Sequence, residues 1–535
     1  MRAAFLVVAT AFSLELAVCA SWPQLLPQPS ALTVGGSTLS LSSANFSFSV
    51  SGGPSPRLSR AFARYSALLF LQAQPAGGPP VLPPPSAALT GVLVTLGAPD
   101  SGAPPQLHDS EAYTLTLPAG GGVGSLRADT VFGALRGLET LAQLAWFDGA
   151  AFSAVAASVT DAPRFAWRGA LIDTARHFLP LPALYACIDA LAAAKMNVFH
   201  WHIVDDQSFP YVSAAFPALS AAGAWAAPAT THTYARADVA AVIAYASDRG
   251  VRVVAELDTP GHSLSWGKGQ PGLLTPCYNS SGPDGSFGPI DPTQESTFAF
   301  LATLFGEVAA TFPDAHFHVG GDEVDFACWQ SSPLIAAWMS AHGMAGNFTM
   351  LESYYVQRVL DLVQSLGKTP VGWQEIFDNR LNLTVDTIVT AWKNPFASTG
   401  QAELARITAA GHPTLLASGW YENYIAYGSQ WPSYYAIDPQ NFTGSDAQRS
   451  LVLGGEWSLW AEFVDSTNFI SRAWPTAAAI AERLWSPASV RSVADATVRM
   501  QAFACRLVAR GIPAEPANGP SFCPTEYAFT YSPPT

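Results

Sequence analysis

The residues most able to do chemistry are two adjacent carboxylates, Asp322 and Glu323, which follow an apolar stretch and two glycines in HVGGDEV. Neighbouring side chains of an extended chain point opposite ways, so the two are expected to do different jobs rather than share one proton. Glycosidases need a carboxylic acid that protonates the leaving oxygen and a second group that manages the anomeric carbon. A solvated acidic loop is the alternative, and an isolated Asp-Glu pair favours it. The position of this pair, among other polar strand ends, favours the chemical interpretation.

Large aromatic residues gather in the same part of the pattern. Trp373, Trp392, Trp420, Tyr421 and Trp460 all fall at the ends of predicted strands or in the loops that follow. Sugar rings have apolar faces that pack on indole rings, so a tryptophan-lined pocket with a few fixed polar groups is typical of carbohydrate recognition. Core packing is an equal alternative for any one of these residues and a weaker one for the whole set.

Four histidines form a second candidate constellation. His200, His202, His262 and His318, with aspartates nearby, offer ligands for a metal ion on a barrel. The HWH spacing places His200 and His202 on one face of a strand. Hydrogen bonding to a supporting carboxylate is the simpler role, and the residues alone favour it over a metal site. Activity that survives exhaustive chelation would exclude the metal interpretation.

The chain from residue 161 onward is predicted to form the fold that positions these residues. Short apolar strands alternate with helical stretches, which predicts a (β/α)8 TIM barrel with catalysis at the carboxyl ends of its strands. Charged and aromatic residues crowd nearly every one of those ends. The predicted strands are 169–173, 197–204, 251–257, 316–321, 370–375, 387–392, 413–418 and 451–455, and the predicted helices include 181–195, 236–249, 293–310 and 352–366.

The preceding part of the chain is predicted to be a separate unit. Residues 91–99 and 112–118 alternate as strands do, and 129–147 carries a helical pattern with Asp129 as its expected cap. We therefore expect a small α+β domain over 21–160, with no chemistry of its own. The catalytic (β/α)8 barrel, with a C-terminal helix and tail, is expected over 161–535.

Residues 1–20 are predicted to be a cleaved signal peptide. Arg2 gives a positive start, an apolar stretch follows, and Val-Cys-Ala suits cleavage after Ala20; the stretch is short for a membrane anchor and contains Glu15. No later stretch reaches about 18 uninterrupted apolar residues, so no membrane span is expected. The formal net charge of −14 argues against nucleic acid or an anionic membrane as a partner. The N-x-S/T sequons that export would make candidates for glycosylation are Asn45, Asn279, Asn347, Asn382 and Asn441.

The predicted export also determines how the cysteines are interpreted. Cys19 leaves with the signal peptide, and the remaining number is odd, so at least one thiol stays unpaired within the chain. No pair has CxxC spacing, which argues against a zinc site. Cys187 lies in an apolar helical stretch and is the best candidate for a buried free thiol.

From about Asp161 to Cys523 the chain closely resembles glycoside hydrolase family 20, the β-N-acetylhexosaminidases, and in particular the animal lysosomal members. Residues 21–160 resemble the family's N-terminal domain more loosely. The resemblance implies an exo-acting, retaining hydrolase of terminal β-linked GlcNAc or GalNAc, in which the substrate's acetamido carbonyl attacks the anomeric carbon. It also implies that neither a metal nor an organic cofactor is needed. The matching stretches are DAPRFAWRGALIDTARHFLP, FHWHIVDDQSFPY, AELDTPGHSLSWGKG, LLTPCYN, HVGGDEVDFACW, VGWQEIFD and AERLWS.

The resemblance also implies a role for each site residue. Glu323 matches the general acid/base, and Asp322 matches the residue that orients the acetamido group and stabilises positive charge. Asp205 and His262 match a pair that supports Glu323, and Tyr421 matches the hydroxyl that binds the acetamido oxygen. The remaining matches are Trp373 and Trp392 around the acetamido methyl, Trp460 under the sugar ring, Arg176, Asn423 and Glu462 at the outer hydroxyls, and the disulfides Cys277–Cys328 and Cys505–Cys523.

The chain departs from the family pattern at three places. Tyr424 stands where the α-type chain has Arg, so we expect neutral terminal sugars and poor use of 6-sulfated ones. WAE at 460–462 replaces the usual WGE, which bears on the placement of Glu462. The N-terminal domain lacks the cysteine pair of the lysosomal chains.

Two other functions stay open at this point. One is a metal-dependent barrel hydrolase, and the other is a non-catalytic carbohydrate-binding relative, against which the intact acidic pair and Tyr421 argue. The expected partners are β-linked N-acetylhexosaminides and, by analogy with the family, a second copy of the chain. The expected location is the secretory pathway, ending in a lysosome, a vacuole or the exterior. The sequence does not distinguish chitobiose, N-glycans and glycolipids as natural substrates.

Overall fold

The computed structural model describes residues 23–527, except 52, 74, 76–81, 228–229, 394–398 and 424–426. The predicted signal peptide and Tyr424 therefore lie outside the described residues. Among the helices that are described, none is long and apolar enough to cross a membrane.

A mixed sheet and two helices form the N-terminal domain. Side chains of residues 113–117 alternate between buried and exposed, so one face of the sheet packs against the helices. The elements are β1 (Ala31–Leu41), β2 (Ser47–Ser51), α1 (Pro56–Leu69), β3 (Ala87–Leu96), β4 (Tyr113–Leu117), β5 (Gly122–Ala128), α2 (Val131–Gln143), β6 (Ala145–Phe147) and β7 (Phe152–Asp161). The strand order is β1-β3-β5-β4-β7-β6, with β2 beside β3 and a further pairing of β1 with β7.

The predicted helix over 129–147 is wrong at both ends. Thr130, not Asp129, is the N-cap, because its side-chain oxygen accepts hydrogen bonds from the backbone N–H groups of Phe132 and Gly133. The helix stops at Gln143 because β6 pairs antiparallel with β7. A local pattern contains no signal for that tertiary pairing.

The eight predicted barrel strands are confirmed, and they close into a parallel barrel of order β12-β15-β16-β17-β18-β19-β8-β9. The fourth strand is shorter than predicted and ends at His318. The strands that follow the N-terminal domain are β8 (Trp167–Asp173), β9 (Val198–Val204), β10 (Ala226–Ala227), β11 (Thr230–Thr231), β12 (Arg252–Leu257), β13 (Leu274–Asn279), β14 (Gly282–Ile290), β15 (His316–His318), β16 (Thr369–Trp373), β17 (Ile388–Ala391), β18 (Thr414–Leu416) and β19 (Val452–Leu459).

Helices cover the outside of the barrel, and the four predicted ones are confirmed within a few residues at each end. The short β10–β11 and β13–β14 hairpins lie in the loops after β9 and β12. The helices are α3 (Leu181–Ala193), α4 (Ala218–Gly223), α5 (Arg236–Ser247), α6 (Leu264–Gly269), α7 (Glu295–Thr311), α8 (Ala327–Ser331), α9 (Pro333–Ala341), α10 (Phe348–Ser365), α11 (Glu375–Asp378), α12 (Gln401–Ala409), α13 (Trp431–Ala436), α14 (Asp446–Ser450), α15 (Phe469–Ala473), α16 (Thr476–Trp485) and α17 (Val493–Ala509).

A buried ionic junction joins the N-terminal sheet to the barrel. The Glu111 carboxylate lies 2.7 Å from the Arg136 guanidinium of α2 and 2.5 Å from the Arg168 guanidinium of β8. Asn197, just before β9, donates a side-chain hydrogen bond to the same carboxylate at 3.1 Å. Burial of charge is tolerated only where such partners compensate for lost hydration, so the junction fixes how the two units meet.

Candidate active site

The carboxyl ends of the barrel strands surround a cavity of about 230 Å³. Every barrel strand except β16 contributes to its lining, directly or through the following loop. All predicted catalytic and sugar-binding residues except Trp373 line it, and two further residues, His202 and Asp258, join them. The lining residues are Arg176, His202, Asp205, Asp258, His262, Asp322, Glu323, Trp392, Tyr421, Asn423, Trp460 and Glu462.

A larger cavity of about 480 Å³ lies on the N-terminal sheet. Its lining includes Tyr113, Arg127, Asp129 and Asp161, but neither a tryptophan nor adjacent carboxylates. Volume alone does not identify a catalytic site, whereas convergent polar groups with perturbed ionisation do. The barrel cavity is therefore the candidate active site.

Two glycines direct the carboxylate pair into the barrel cavity. Gly320 and Gly321 have φ angles of +68° and +94°, a region that favours glycine. A Cβ atom on Gly320 would lie 1.6 Å from Oδ1 of Asp258, so a larger residue does not fit there. The side chain of Asp322 is then 9% exposed, and that of Glu323 is 59% exposed. One carboxylate lies in the wall of the cavity and its neighbour lies at the mouth.

A charged pair stands behind Glu323. His262 Nε2 lies 3.8 Å from Glu323 Oε2, and His262 Nδ1 lies 3.3 Å from Asp205 Oδ1. Arg176 Nη2 lies 2.8 Å from the other oxygen of Asp205. Burial favours the neutral imidazole, but the hydrogen bond with Asp205 and the neighbouring acidic groups together outweigh it and raise the pKa of His262 to about 11. His262 is thus an imidazolium at neutral pH.

Asp258 is a cavity residue that sequence reasoning missed. It is almost completely buried, and its Oδ1 accepts a hydrogen bond from the Gly321 N–H at 2.8 Å. Burial and then the nearby charge of Asp322 raise the pKa of Asp258 well above its usual range, which keeps this group a neutral acid. Its signal was present in ELDTPGH, because the acid directly follows a predicted strand as Asp322 does.

Aromatic side chains form one side of the cavity. The ring centroids of Trp392 and Tyr421 are 6.4 Å apart, and those of Tyr421 and Trp460 are 6.5 Å apart. The Arg176 guanidinium lies 4.9 Å from the centroid of Trp460. Burial, followed by the charge of Asp322, raises the pKa of Tyr421 well above its ordinary value. Tyr421 therefore keeps its hydroxyl proton and presents a hydrogen-bond donor.

Two of the five aromatic residues singled out in the sequence lie away from the cavity surface. Trp373 is fully buried behind it, 6.0 Å from Trp460 between ring centroids, and its Nε1 donates to Glu256 at 2.8 Å. Trp420 belongs to the barrel core, where its Nε1 donates to the carbonyl oxygen of Tyr434. For Trp420 the core-packing alternative was the correct one.

The outer rim of the cavity carries Asn423 and Glu462. Ala461, which replaces the glycine usual in the resembling family, is buried. Its N–H donates to Asp173 at 3.0 Å and its carbonyl oxygen is 2.6 Å from His177 Nδ1. The backbone beside Glu462 is thus held on both sides, with an alanine at this position.

His200 and His318 lie deeper in the barrel, where both contact Glu256. His318 Nδ1 is 3.1 Å from Oε1 of Glu256, and His200 Nε2 is 3.1 Å from Oε2. These contacts suit hydrogen bonding to a carboxylate, which was the simpler of the two roles considered for these histidines. Three groups among the described residues have spacings compatible with a metal ion, namely His200, Glu256 and His318; Asp205, Asp206 and His262; and Asp258, His262 and Asp322.

Two disulfides are present among the described residues. Cys277 of β13 is bonded to Cys328 of α8, which closely follows Glu323, and Cys505 of α17 is bonded to Cys523. Cys187 is a buried free thiol. Both pairings and the free thiol are as predicted.

Glu375 braces the aromatic wall from behind. Its Oε2 accepts a hydrogen bond from Trp392 Nε1 at 3.0 Å, and its Oε1 lies 3.3 Å from Lys393 Nζ. Burial and then the charge of Asp322 raise the pKa of Glu375 to about 7. This carboxyl consequently changes its ionisation near neutral pH.

Replacement of Glu375 by glutamine is expected to stabilise the protein, relative to the unmodified chain, increasingly from about pH 5 to pH 7. In this window folded Glu375 keeps a proton that the unfolded chain has lost, since an unperturbed Glu titrates near pH 4.3, so the unmodified chain loses stability as pH rises. Glutamine retains an acceptor for Trp392 and does not titrate. Thermal unfolding of both proteins between pH 5 and pH 8 measures the difference; a difference that stays constant with pH would contradict this.

Comparison with known proteins agrees with this geometry. Residues 165–488 match the family described as "Glycosyl hydrolase family 20, catalytic domain", and residues 25–144 match "beta-acetyl hexosaminidase like". The chain is 45% identical to the beta-hexosaminidase subunit beta of Felis catus over 94% of both chains, and 43% identical to the subunit alpha of Bos taurus over 98% of both.

A solved structure gives the same result in three dimensions. The chitobiase of Flavobacterium johnsoniae superposes with a TM-score of 0.79 at 30% identity, over 91% of this chain and 73% of that one. The β-N-acetylhexosaminidase of Streptomyces coelicolor, at 24% identity and a TM-score of 0.71, shares the fold. This chain therefore belongs to glycosyl hydrolase family 20.

Proposed function

We propose that the cavity removes terminal, non-reducing β-linked GlcNAc or GalNAc, with the substrate's own 2-acetamido group as the nucleophile. The chain is a glycoside hydrolase with exo-β-N-acetylhexosaminidase activity, as its family and its relatives at 43–45% identity indicate. One observation carries the proposed residue roles. Asp322 is enclosed near Tyr421, while the adjacent Glu323 is open at the mouth beside His262. The first position suits contact with an acetamido group, and the second suits proton exchange with a leaving group and water.

The reaction then has two steps. In the first, Glu323 gives its proton to the glycosidic oxygen while the acetamido oxygen bonds to the anomeric carbon, so the aglycone leaves and an oxazolinium ion forms. In the second, the Glu323 carboxylate takes a proton from water. The water oxygen attacks the anomeric carbon and opens the oxazolinium ring. Asp322 accepts a hydrogen bond from the acetamido N–H and stabilises the positive charge that develops on the forming oxazolinium ring. Two inversions at one carbon give net retention.

The other cavity residues bind and orient the sugar. The Tyr421 hydroxyl donates to the acetamido oxygen, and Trp392 packs beside the acetamido methyl with Trp373 supporting from behind. Trp460 offers its face to the sugar ring. The remaining polar groups suit the outer hydroxyls, with the Arg176 guanidinium already oriented by Asp205. These hydroxyl-binding groups are Arg176, Asn423 and Glu462.

Paired substrates test the nucleophile. An aryl β-N-acetylglucosaminide should be hydrolysed rapidly, and the matching aryl β-glucoside should be cleaved at least about 10³-fold more slowly in kcat/KM, because it lacks the nucleophile whose placement accelerates ring closure. Equal cleavage of both would refute acetamido participation. A 6-sulfated glucosaminide belongs in the same series, because Tyr424 predicts that it is a poor substrate and equal use would contradict that expectation.

Two alternatives are resolved in the same assay. A metal-dependent hydrolase is worth testing because three groups of His, Asp and Glu among the described residues have suitable spacing. Activity that is lost on exhaustive chelation and regained with Zn²⁺ would favour it, whereas we expect full activity after chelation. A non-catalytic carbohydrate-binding protein would bind the glucosaminide without turnover.

Export through the secretory pathway, to a lysosome, a vacuole or the exterior, is part of the proposal. The relatives are beta-hexosaminidase subunits, and all five sequon asparagines are exposed to solvent, as glycosylation requires: Asn45, Asn279, Asn347, Asn382 and Asn441. Neither nucleic acid nor a membrane is an expected partner. A homodimer is proposed by analogy alone, and sedimentation of the purified protein tests it.

A further inference from the structure

A file of alternating carboxylates and imidazoles runs through the barrel interior and ends at Glu323. We call it the carboxylate–histidine file. Its contacts are, in order, Glu456 Oε1 to His200 Nδ1 at 2.9 Å, His200 Nε2 to Glu256 Oε2 at 3.1 Å, Glu256 Oε2 to His202 Nδ1 at 2.6 Å, His202 Nε2 to Asp205 Oδ2 at 2.8 Å, Asp205 Oδ1 to His262 Nδ1 at 3.3 Å, and His262 Nε2 to Glu323 Oε2 at 3.8 Å.

Barrel geometry produces this alternation. His200 and His202 are two apart on β9 and therefore point to the same side, toward the interior. Glu256 of β12 is in register with His202, and Glu456 of β19 points inward from across the barrel to His200. All four are fully buried, and Glu256, His200 and Glu456 do not line the cavity. Buried ionisable groups remote from substrate are costly unless each is paired, so their presence calls for a role.

The charges along the file alternate in sign. Burial opposes the charged form of His202, but Glu256 and Asp205 outweigh it and raise its pKa well above the ordinary value. Burial likewise opposes the charged form of His200, yet Glu456 and Glu256 raise its pKa to about 9. Burial would favour a neutral Glu256, but the surrounding imidazoles lower its pKa well below the usual range. Each imidazolium thus stands between two carboxylates.

Other groups face the file from neighbouring strands. The second oxygen of Glu256 accepts from Trp373 Nε1 at 2.8 Å and lies 3.1 Å from His318 Nδ1. Asp205 is also held by Arg176, and His262 faces both Asp258 and Asp322. The two oxygens of Glu256 therefore serve different neighbours, one the file and the other the aromatic wall.

We propose that Glu256 is a positioning residue for hydrolysis. Through His202 it holds the Asp205–His262 pair in place behind Glu323 and keeps that pair in its charged form. This inference rests on the proposed role of Glu323 as acid/base. His202 lies between two carboxylates, and the loss of one leaves it free to lose its proton. Asp205 then loses one of the cations that orient it, and His262 is held less firmly. Glu256 affects hydrolysis only through His202, because it does not line the cavity and so contacts no substrate atom.

Glu256→Gln tests the proposal in the full-length protein. We expect kcat for an aryl β-GlcNAc to fall roughly tenfold to a hundredfold, as when carboxylates that orient a functional histidine are removed, with KM changed little. The alkaline limb of the kcat/KM profile should move to higher pH. His202 is one contact closer to Glu323 along the file than Glu256 is, so loss of its positive charge outweighs loss of the carboxylate and the acid retains its proton more firmly.

His318→Gln is the matched control, since His318 is equally buried and contacts Glu256 on the oxygen outside the file. It should leave the pH profile in place, even if its unfolding temperature falls. Glu456→Gln, at the far end of the file, should move the alkaline limb in the same direction as Glu256→Gln but by a smaller amount. If Glu256→Gln does not fold, the pH profile of Glu456→Gln tests the proposal instead.

Two outcomes would overturn the proposal: variants at Glu256 and Glu456 that unfold more easily but keep the unmodified pH profile, or a Glu256→Gln variant that raises KM alone. Failure of the proposed function would give different results. The unmodified protein would then not cleave the glucosaminide, or Glu323→Gln would have no effect on cleavage.

Discussion

Glu323→Gln should lower kcat for chitobiose by about 10²–10⁴-fold, the usual contribution of a positioned general acid/base. Glutamine is close in size to glutamate but can neither give a proton to the glycosidic oxygen nor take one from water. KM should change little, because the side chain is 59% exposed at the cavity mouth and is not enclosed with the sugar. Steady-state kinetics on the purified variant measures both parameters.

The leaving group separates the two roles of Glu323. An aryl glycoside with an acidic phenol needs little protonation, so its first step should survive the substitution better than that of chitobiose. Added azide, which attacks without a general base, should then restore turnover and give a β-glycosyl azide. Asp325→Asn is the control, because Asp325 is an exposed acid nearby whose side chain accepts a hydrogen bond from the Ala327 N–H. Undiminished chitobiose hydrolysis by Glu323→Gln would refute the acid/base assignment.

Glu111→Ala is expected to lower the free energy of unfolding by about 3–5 kcal/mol. The substitution leaves the Arg136 and Arg168 guanidinium groups buried without their shared carboxylate, and an uncompensated buried charge is strongly destabilising. Burial opposes ionisation of Glu111, but Arg168 and Arg136 outweigh it and lower its pKa. Its contribution is thus complete above an ordinary glutamate pKa of about 4.3, and it is lost as pH falls through the lower folded value. Chemical denaturation at pH 7 measures the full effect.

An exposed ion pair provides the comparison for this experiment. Asp446 and Arg449 lie 2.6 Å apart, but the Asp446 side chain is 98% exposed. Asp446→Ala should therefore change the free energy of unfolding by less than about 1 kcal/mol. Equal losses for the two variants would mean that the junction between the N-terminal sheet and the barrel adds nothing specific to stability.

The barrel and the position of its site could be predicted from sequence because both follow from local periodicity. Apolar strands alternate with helices, and in a barrel the polar residues at the ends of strands must converge. The Asp322–Glu323 pair was therefore recognisable before its distances were known. The same reasoning extends to Asp258, which also follows a strand, and its omission was an avoidable error.

The carboxylate–histidine file could not be predicted, because it depends on how strands align. Glu256 meets His202 only through the register of β12 on β9, and it meets His318 only through the register of β12 on β15. No local pattern encodes those registers. The same holds for Trp420 and Trp373, since the sequence indicated that aromatic residues gather near strand ends but not which of them face the cavity.

The Cys277–Cys328 disulfide bears on when during biosynthesis the site becomes complete. It ties the hairpin after β12 to α8, the helix that follows Glu323. Such a bond forms in the endoplasmic reticulum and not in the reducing cytosol. On the export proposed above, a newly made chain enters an oxidising compartment before the hairpin and α8 are joined covalently. The proposed export therefore couples completion of the segment after Glu323 to passage through the secretory pathway.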